Sequence, residues 1–352
     1  MNHPADYHYY KNFIRRMMDK GFEVLITATK KDVSLDLLER SGLEFIKLGS
    51  YGNTLAQKVL NLPLIDYKMY RAVVKFDPDI LLGLGSIRAP HVSFALGKKS
   101  INFEDTEIAS QQMVLRVPFV NTIWTPYCFK GDMGKKHVRY DGYKELAYLH
   151  PKYFTPDKSV LDDIGQKEGD PFIVLRFVSW AATHDIGEYG LKNKLAYVKE
   201  LEKYGRVLIT SETPLDDDLE KYRVNIPPDK LHHLLYYATL YLGEGATMAT
   251  EAAILGTPSI YLSSIKEKLG YIGELRQKYG LLYSYDDQEA AMKKAIQLLR
   301  TPGIKEMWRK KRDRMLAEKI DVTAFMVWFV ENYPASINML KKDPALQYKL
   351  KC

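Results

Sequence analysis

Gly243-Glu244-Gly245-Ala246-Thr247, with Glu251 six residues after Gly245, is the stretch whose residue types and spacing best suit chemistry. It follows the apolar run Leu240–Leu242 and opens the small-residue helical stretch Met248–Leu255. A glycine turn between strand and helix leaves backbone N–H groups free at the positive end of the helix, which suits an anion. Glycine lets a phosphate approach the backbone, and Thr247 can cap the helix or offer its hydroxyl. Glu251 falls more than a turn inside, where a carboxylate can accept both hydroxyls of a ribose whose phosphates sit at the helix end. The same residues also suit an ordinary tight turn followed by an exposed Glu, and a glycine pattern alone does not separate the two. The continuation Ala252–Pro258, which ends the helix at Gly256 and starts a new strand at Pro258, favours the anion site.

Such a turn needs a parallel sheet around it. Short apolar runs at Phe22–Thr27, Phe45–Leu48, Ile80–Leu84, Ser100–Phe103 and Val120–Trp124 alternate with helical patterns, the signature of βαβ units. Residues 126–170 then carry Pro126, Gly131, Gly134, Gly142, Pro151, Pro156 and Gly165 without a long periodic segment, as at a domain boundary. A second alternation has strands at Phe172–Arg176, Val207–Thr210, Leu240–Leu242, Ser259–Leu262 and Leu281–Tyr283. Helices Leu191–Lys203, Leu231–Ala238, Met248–Leu255 and Gln288–Leu299 lie between them, and the chain reads as helical from Ile304 onward. The expectation is an α/β protein with two Rossmann-like, doubly wound domains, at 1–160 and 168–333, an interdomain cleft and a helical tail at 334–352. The apolar strand that normally opens such a sheet is missing. Asn2–Asp6 reads as a loop, followed by an amphipathic helix with Phe13, Ile14, Met17 and Met18, so either that strand lies upstream, the favoured expectation, or the first domain has an unusual edge.

A chain of 352 residues is too long for one ordinary core, and 46% hydrophobic with 27% charged residues is a soluble globular composition. Apolar runs such as Ala324–Val330 fall short of a bilayer span. The polar opening Asn2–Asp6 does not suit a secretory leader, and Cys128 with Cys352 makes no disulfide framework, so a cytoplasmic protein is expected. The net charge of +7, from 51 basic and 44 acidic residues, is a mild excess. Its densest cluster, Arg309-Lys310-Lys311-Arg312 with Arg314, lies in a helical stretch and is weak support for nucleic acid. An anionic small molecule fits as well, and the tail lysines Lys341, Lys342, Lys349 and Lys351 permit peripheral membrane association.

"GATMATEAAILGTPSI", residues 245–260, resembles the nucleotide-sugar motif of GT-B enzymes. Two relatives stand out: the N-acetylglucosaminyltransferase that completes the lipid-linked peptidoglycan precursor, and the non-hydrolysing UDP-N-acetylglucosamine 2-epimerase. The resemblance implies that Gly245, Ala246 and Thr247, with Gly243 before them, take the diphosphate and Glu251 the ribose. "PPDKLHHLLYYATLYLGEG", residues 227–245 and including His232, is similar to the segment lining the base and donor sugar. "PDILLGLGSIRAPHVSFALGKKSINFEDTEIAS", residues 78–110, resembles the strand, glycine loop, helix, strand and acidic loop of the transferase. Gly85 and Ser86 would then face the cleft, as would Glu104, Asp105 and Glu107. Across the chain, "NHPADYHYYKNFI", "INFEDTE", "YDGYKELAYLHPKYFTPD", "VLRFVSWAATHD" and "GEGATMATEAAILGTPSIY" together resemble a largely archaeal family, domain of unknown function 354.

Carboxylates at strand ends in the crevice are where a doubly wound domain places its chemistry, so Glu104, Asp105 and Glu107 are candidate general bases for an acceptor hydroxyl. Each could equally stabilise a helix N-terminus. Arg176 ends the strand that opens the second domain, and its guanidinium suits a departing nucleoside diphosphate; a structural ion pair with Asp185 is the alternative. His184 in the following loop could orient the donor or cap the next element. His3 and His8 are read as loop histidines on the acceptor side; with Asp6 they match no strong zinc pattern, so no metal is expected. These readings combine into metal-independent sugar transfer from a UDP-sugar-type donor, without a cofactor, to an acceptor that could be lipid- or glycan-linked. The alternatives are a UDP-sugar 2-epimerase on the same donor site and a non-catalytic nucleotide-sugar binder.

Overall fold

Most of the short apolar runs form strands, and the stretches between them form helices. The computed structural model describes residues 1–31, 33–52, 54–108, 110–178, 193–211, 214–263 and 268–350. They fall into two compact units, Met1–Tyr148 with Ile320–Cys352, and Leu149–Lys319.

The first unit opens with α1 (Pro4–Asp19), β1 (Thr27–Thr29), α2 (Ser34–Ser41), β2 (Ile46–Gly49) and α3 (Leu55–Phe76). It continues with β3 (Ile80–Leu84), α4 (Arg88–Ala95), β4 (Lys99–Phe103), α5 (Ser110–Arg116), β5 (Thr122–Pro126) and β6 (His137–Tyr140). β1 and β2 pair in parallel, and a separate parallel sheet has the order β3-β4-β5-β6. β6 lies inside the stretch expected to be irregular: its four residues are shorter than a pattern reading needs and turn residues precede them.

α6 (Leu146–Leu149) spans the border, and the second unit continues with α7 (Ser159–Asp163), β7 (Phe172–Phe177), α8 (Lys194–Leu201), β8 (Arg206–Ser211), α9 (Asp217–Glu220) and α10 (Leu231–Tyr237). Then come β9 (Leu240–Gly243), α11 (Ala246–Ile254), β10 (Ser259–Leu262), α12 (Gly270–Glu274), β11 (Leu282–Tyr285), α13 (Gln288–Leu299) and α14 (Ile304–Glu318). Its parallel sheet has the order β11-β10-β9-β7-β8. The chain leaves β7 to one side for β8, then crosses to the other side for β9. The strand order therefore reverses between β7 and β9, and the C-terminal ends of strands at such a switch point are where open α/β sheets bind ligands.

The units divide the chain differently from the expected 1–160, 168–333 and 334–352. α15 (Val322–Glu331) and α16 (Ala335–Lys342) belong to the first unit. The reason is aromatic: Phe325 and Phe329 pack on fully buried Trp124 of β5, with ring centroids 5.0 and 4.2 Å away. Thr323 Oγ1 also donates to Ala147 O at 2.9 Å. Among the described residues, no helix is long and apolar enough to cross a membrane.

Candidate functional site

The β9–α11 turn sits at the switch point of the second sheet. Arg176 of β7 lies in register with Gly243 of β9, and Glu244 N–H donates to Arg176 O at 3.1 Å. A Cβ on Gly243 would meet Arg176 Cβ at 2.6 Å and Tyr241 Oη at 2.5 Å, so only glycine lets the two strands come this close. Gly245 is different. Its φ is −88°, and a Cβ there would make ordinary contacts of 3.6 Å with Arg176 Cγ and Val178 Cγ1.

From Leu240 to Ser263 every residue is buried except Gly245, Ala246 and Thr247. These three form the N-cap and first turn of α11, which has no side-chain cap. The first N–H groups of a helix have no acceptor within it. The solvent-reaching part of this otherwise buried segment is therefore an uncapped, positive helix end beside Arg176.

Behind the turn, Glu251 is buried and its Oε1 lies 3.0 Å from Nε2 of buried His232 on α10. His232 thus fixes the Glu251 carboxylate. Glu244, for which the sequence suggests no role, accepts from Val178 N–H at 3.0 Å and ties the end of β7 to the turn. Tyr241 Oη donates to Gly245 O at 3.3 Å; burial holds this phenol far above its usual range, and the positive charge of Arg176 opposes that rise. His233, beside His232, accepts from Asp157 N–H at 2.9 Å and stacks on Phe154, a packing role. His184 and Asp185 lie outside the described residues.

The three carboxylates of "FEDTE" in the first unit have three different environments. Glu104 is buried against the Arg116 guanidinium and accepts from Asp105 and Thr106 N–H at 3.2 and 3.1 Å. Burial brings Arg116 down to about 10, and its Nη1 also donates to Gly85 O at 3.0 Å. Glu104 therefore stitches the β3 and β4 ends together, and this geometry does not suit a free base. Glu107 accepts from Lys130 N–H at 3.1 Å, tying its turn to a later loop. Asp105 pairs with buried Lys144, accepts from Thr106 Oγ1 at 3.0 Å, and retains some exposure. Lys144 Nζ also lies 3.2 Å from Glu145 Oε1. Sequence reading missed Lys144 and Arg116, whose partners lie 39 and 12 residues away.

The N-terminal histidines are not loop residues. His3 is the N-cap of α1: its Nδ1 accepts from Ala5 N–H at 3.2 Å, Asp6 completes the capping box, and Pro4 occupies the first helical position. The helix consequently begins where a loop is expected. His8 is buried within α1, with its ring centroid 5.1 Å from Tyr7 and 5.3 Å from Tyr148. Gly85 adopts φ +55° in the β3–α4 turn, and Ser86 Oγ accepts from Ala89 N–H at 3.3 Å, so Ser86 supports the start of α4. Arg88, also missed, is buried on the Tyr51 ring and hydroxyl.

The fold is of the GT-B type. It is similar over 90% or more of each chain to solved structures of a glycosyltransferase and of a sugar-nucleotide epimerase. One is the UDP-GlcNAc 2-epimerase from Neisseria meningitidis bound to UDP-GlcNAc, with TM-score 0.61, 12% identity, and 93% of this chain and 96% of that chain covered. The other is the spinosyn forosaminyltransferase SpnP, with TM-score 0.58, 12% identity, and 90% and 93% covered. In sequence, the uncharacterized protein MJ0665 of Methanocaldococcus jannaschii is 25% identical over 295 residues, 80% of this chain and 85% of that protein. The family described as "Protein of unknown function (DUF354)" matches residues 1–333, and the chain belongs to it.

Proposed function

We propose that the protein transfers a sugar from a UDP-sugar-type donor to an acceptor hydroxyl. The observation that carries this reading is the uncapped α11 N-terminus at the switch point, reached by solvent at Gly245–Thr247, flanked by Arg176 and backed by the His232–Glu251 pair. A diphosphate is the ligand that such an end suits, because N–H groups, helix dipole and guanidinium all favour charge that grows as the glycosidic bond breaks. In this reading Glu251 takes the ribose hydroxyls and His232 holds it in place. Asp105 takes the acceptor proton, as the member of "FEDTE" not committed to backbone N–H groups.

A second reading, 2-epimerisation of the same donor, draws support from the contact between Asp105, Lys144 and Glu145, since that reaction moves a proton at the sugar's C2 and needs more than one ionisable group. Incubation with a panel of nucleotide sugars and acceptor hydroxyls separates the two. Transfer releases free UDP in proportion to glycosylated acceptor, and epimerisation yields a new sugar nucleotide without UDP accumulating. Turnover of neither kind, with UDP still bound, would leave a binding protein and overturn the enzyme reading.

A further inference from the structure

Helix α3 is apolar on two opposite faces. Its inner face, Ile65, Met69 and Val73, is buried with Leu48, Leu81, Ala89 and Val92 in a hydrophobic cluster. On the other side Leu60, Leu64, Tyr67 and Val74 are exposed, at 75, 52, 57 and 50%. Their spacing of four, three and seven residues aligns them along one stripe of the helix. A contiguous exposed apolar patch of this kind marks an interaction surface. The exposed positions beside this stripe include Lys68, Arg71 and Lys75, and no exposed described side chain of α3 is a carboxylate. Asp66, the acid within the helix, is half-buried and paired with His91 of α4 at 3.3 Å. His91 Nε2 in turn lies 2.8 Å from Leu115 O of α5, so the three helices form one continuous surface. Exposed Phe94, Val114 and Leu115 extend its apolar area.

From this we infer that the α3 face docks on an anionic lipid surface. Apolar side chains, a tyrosine, and cations with no exposed carboxylate beside them among the described residues of the helix are the chemistry that enters a headgroup layer: the stripe meets acyl chains while Lys and Arg stay among phosphates. A second copy of the chain fits less well. A twofold contact through this face would gather Lys68, Arg71 and Lys75 of both copies with no carboxylate to pair them. The inference stands apart from the nucleotide-sugar reading, because none of these residues belongs to the β9–α11 site.

The test is co-sedimentation of the full chain with vesicles of phosphatidylcholine alone and of phosphatidylcholine with phosphatidylglycerol, alongside sizing in solution. The expected result is binding at least about tenfold stronger to the anionic vesicles, weakening with salt. Charge reversal in K68E/R71E/K75E and loss of the apolar stripe in L64S/Y67S should each abolish it. Both variants alter exposed positions, and an unchanged melting temperature for either one shows that it is folded. Equal partition to both vesicle types overturns the inference, as does binding unaffected by a folded variant. A solution dimer that L64S/Y67S converts to monomer overturns it in favour of a second copy, and displacement from vesicles by an acidic amphipathic peptide but not by salt points to a protein partner instead.

Discussion

Gly243 and Gly245 stand two residues apart and have different duties. At Gly243 a side chain collides with Arg176 across the β7–β9 pair and with Tyr241 of its own strand. Gly243→Ala should therefore lose about 1–3 kcal/mol of stability, read as a fall in melting temperature. At Gly245 an added methyl meets only ordinary contacts and an ordinary φ. Gly245→Ala should melt within about 0.5 kcal/mol of wild type yet bind UDP more weakly, because the methyl stands where the phosphate approaches. Asp105 makes a sharper case in the first unit. Asp105→Asn should retain UDP binding and lose turnover by about a hundredfold or more. Lys144→Met, which removes the buried cation that pairs with the carboxylate, should lower kcat with little change in KM for the donor.

The strand-turn-helix arrangement of β9 and α11 was legible from sequence, because the three are consecutive and each announces itself by composition. The sorting of Glu104, Asp105 and Glu107 was not. Three acids in four positions look alike until Arg116, Lys130 and Lys144 arrive from elsewhere in the fold. His3 was misplaced for a local reason, since a histidine rarely serves as N-cap and the pattern His-x-x-Asp resembles the usual capping box only once its geometry is seen.

At the scale of elements, the two parallel sheets followed from alternating strand and helix patterns, and β3 and β10 keep the expected boundaries. That α15 is helical followed from the pattern after Ile304, but its place in the first unit did not. Nothing local tells a helix after a second α/β unit to pack on the first, and the deciding contact is the pair of phenylalanines on Trp124. Phe329→Ala should cost the first unit about 3–5 kcal/mol. In a thermal or urea transition followed by tryptophan fluorescence, the first unit should unfold early in this variant while the second keeps its own transition. Loss of stability confined to the second unit would contradict the assignment of α15.

For the whole molecule, a net charge of +7 is too small to name a partner, and the location of charge says more than its sum. The cations that matter to this account are few: Arg176 beside an uncapped helix end in the second unit, and Lys68, Arg71 and Lys75 on an exposed apolar helix in the first. The β9–α11 turn is proposed to bind a nucleoside diphosphate. Calorimetric titration of UDP into the wild type, Gly245→Ala and Glu251→Ala tests this most directly. One site is expected on the wild type, with at least about tenfold weaker binding in both folded variants. A wild type that binds no UDP, or three proteins that bind it equally well, would contradict the account.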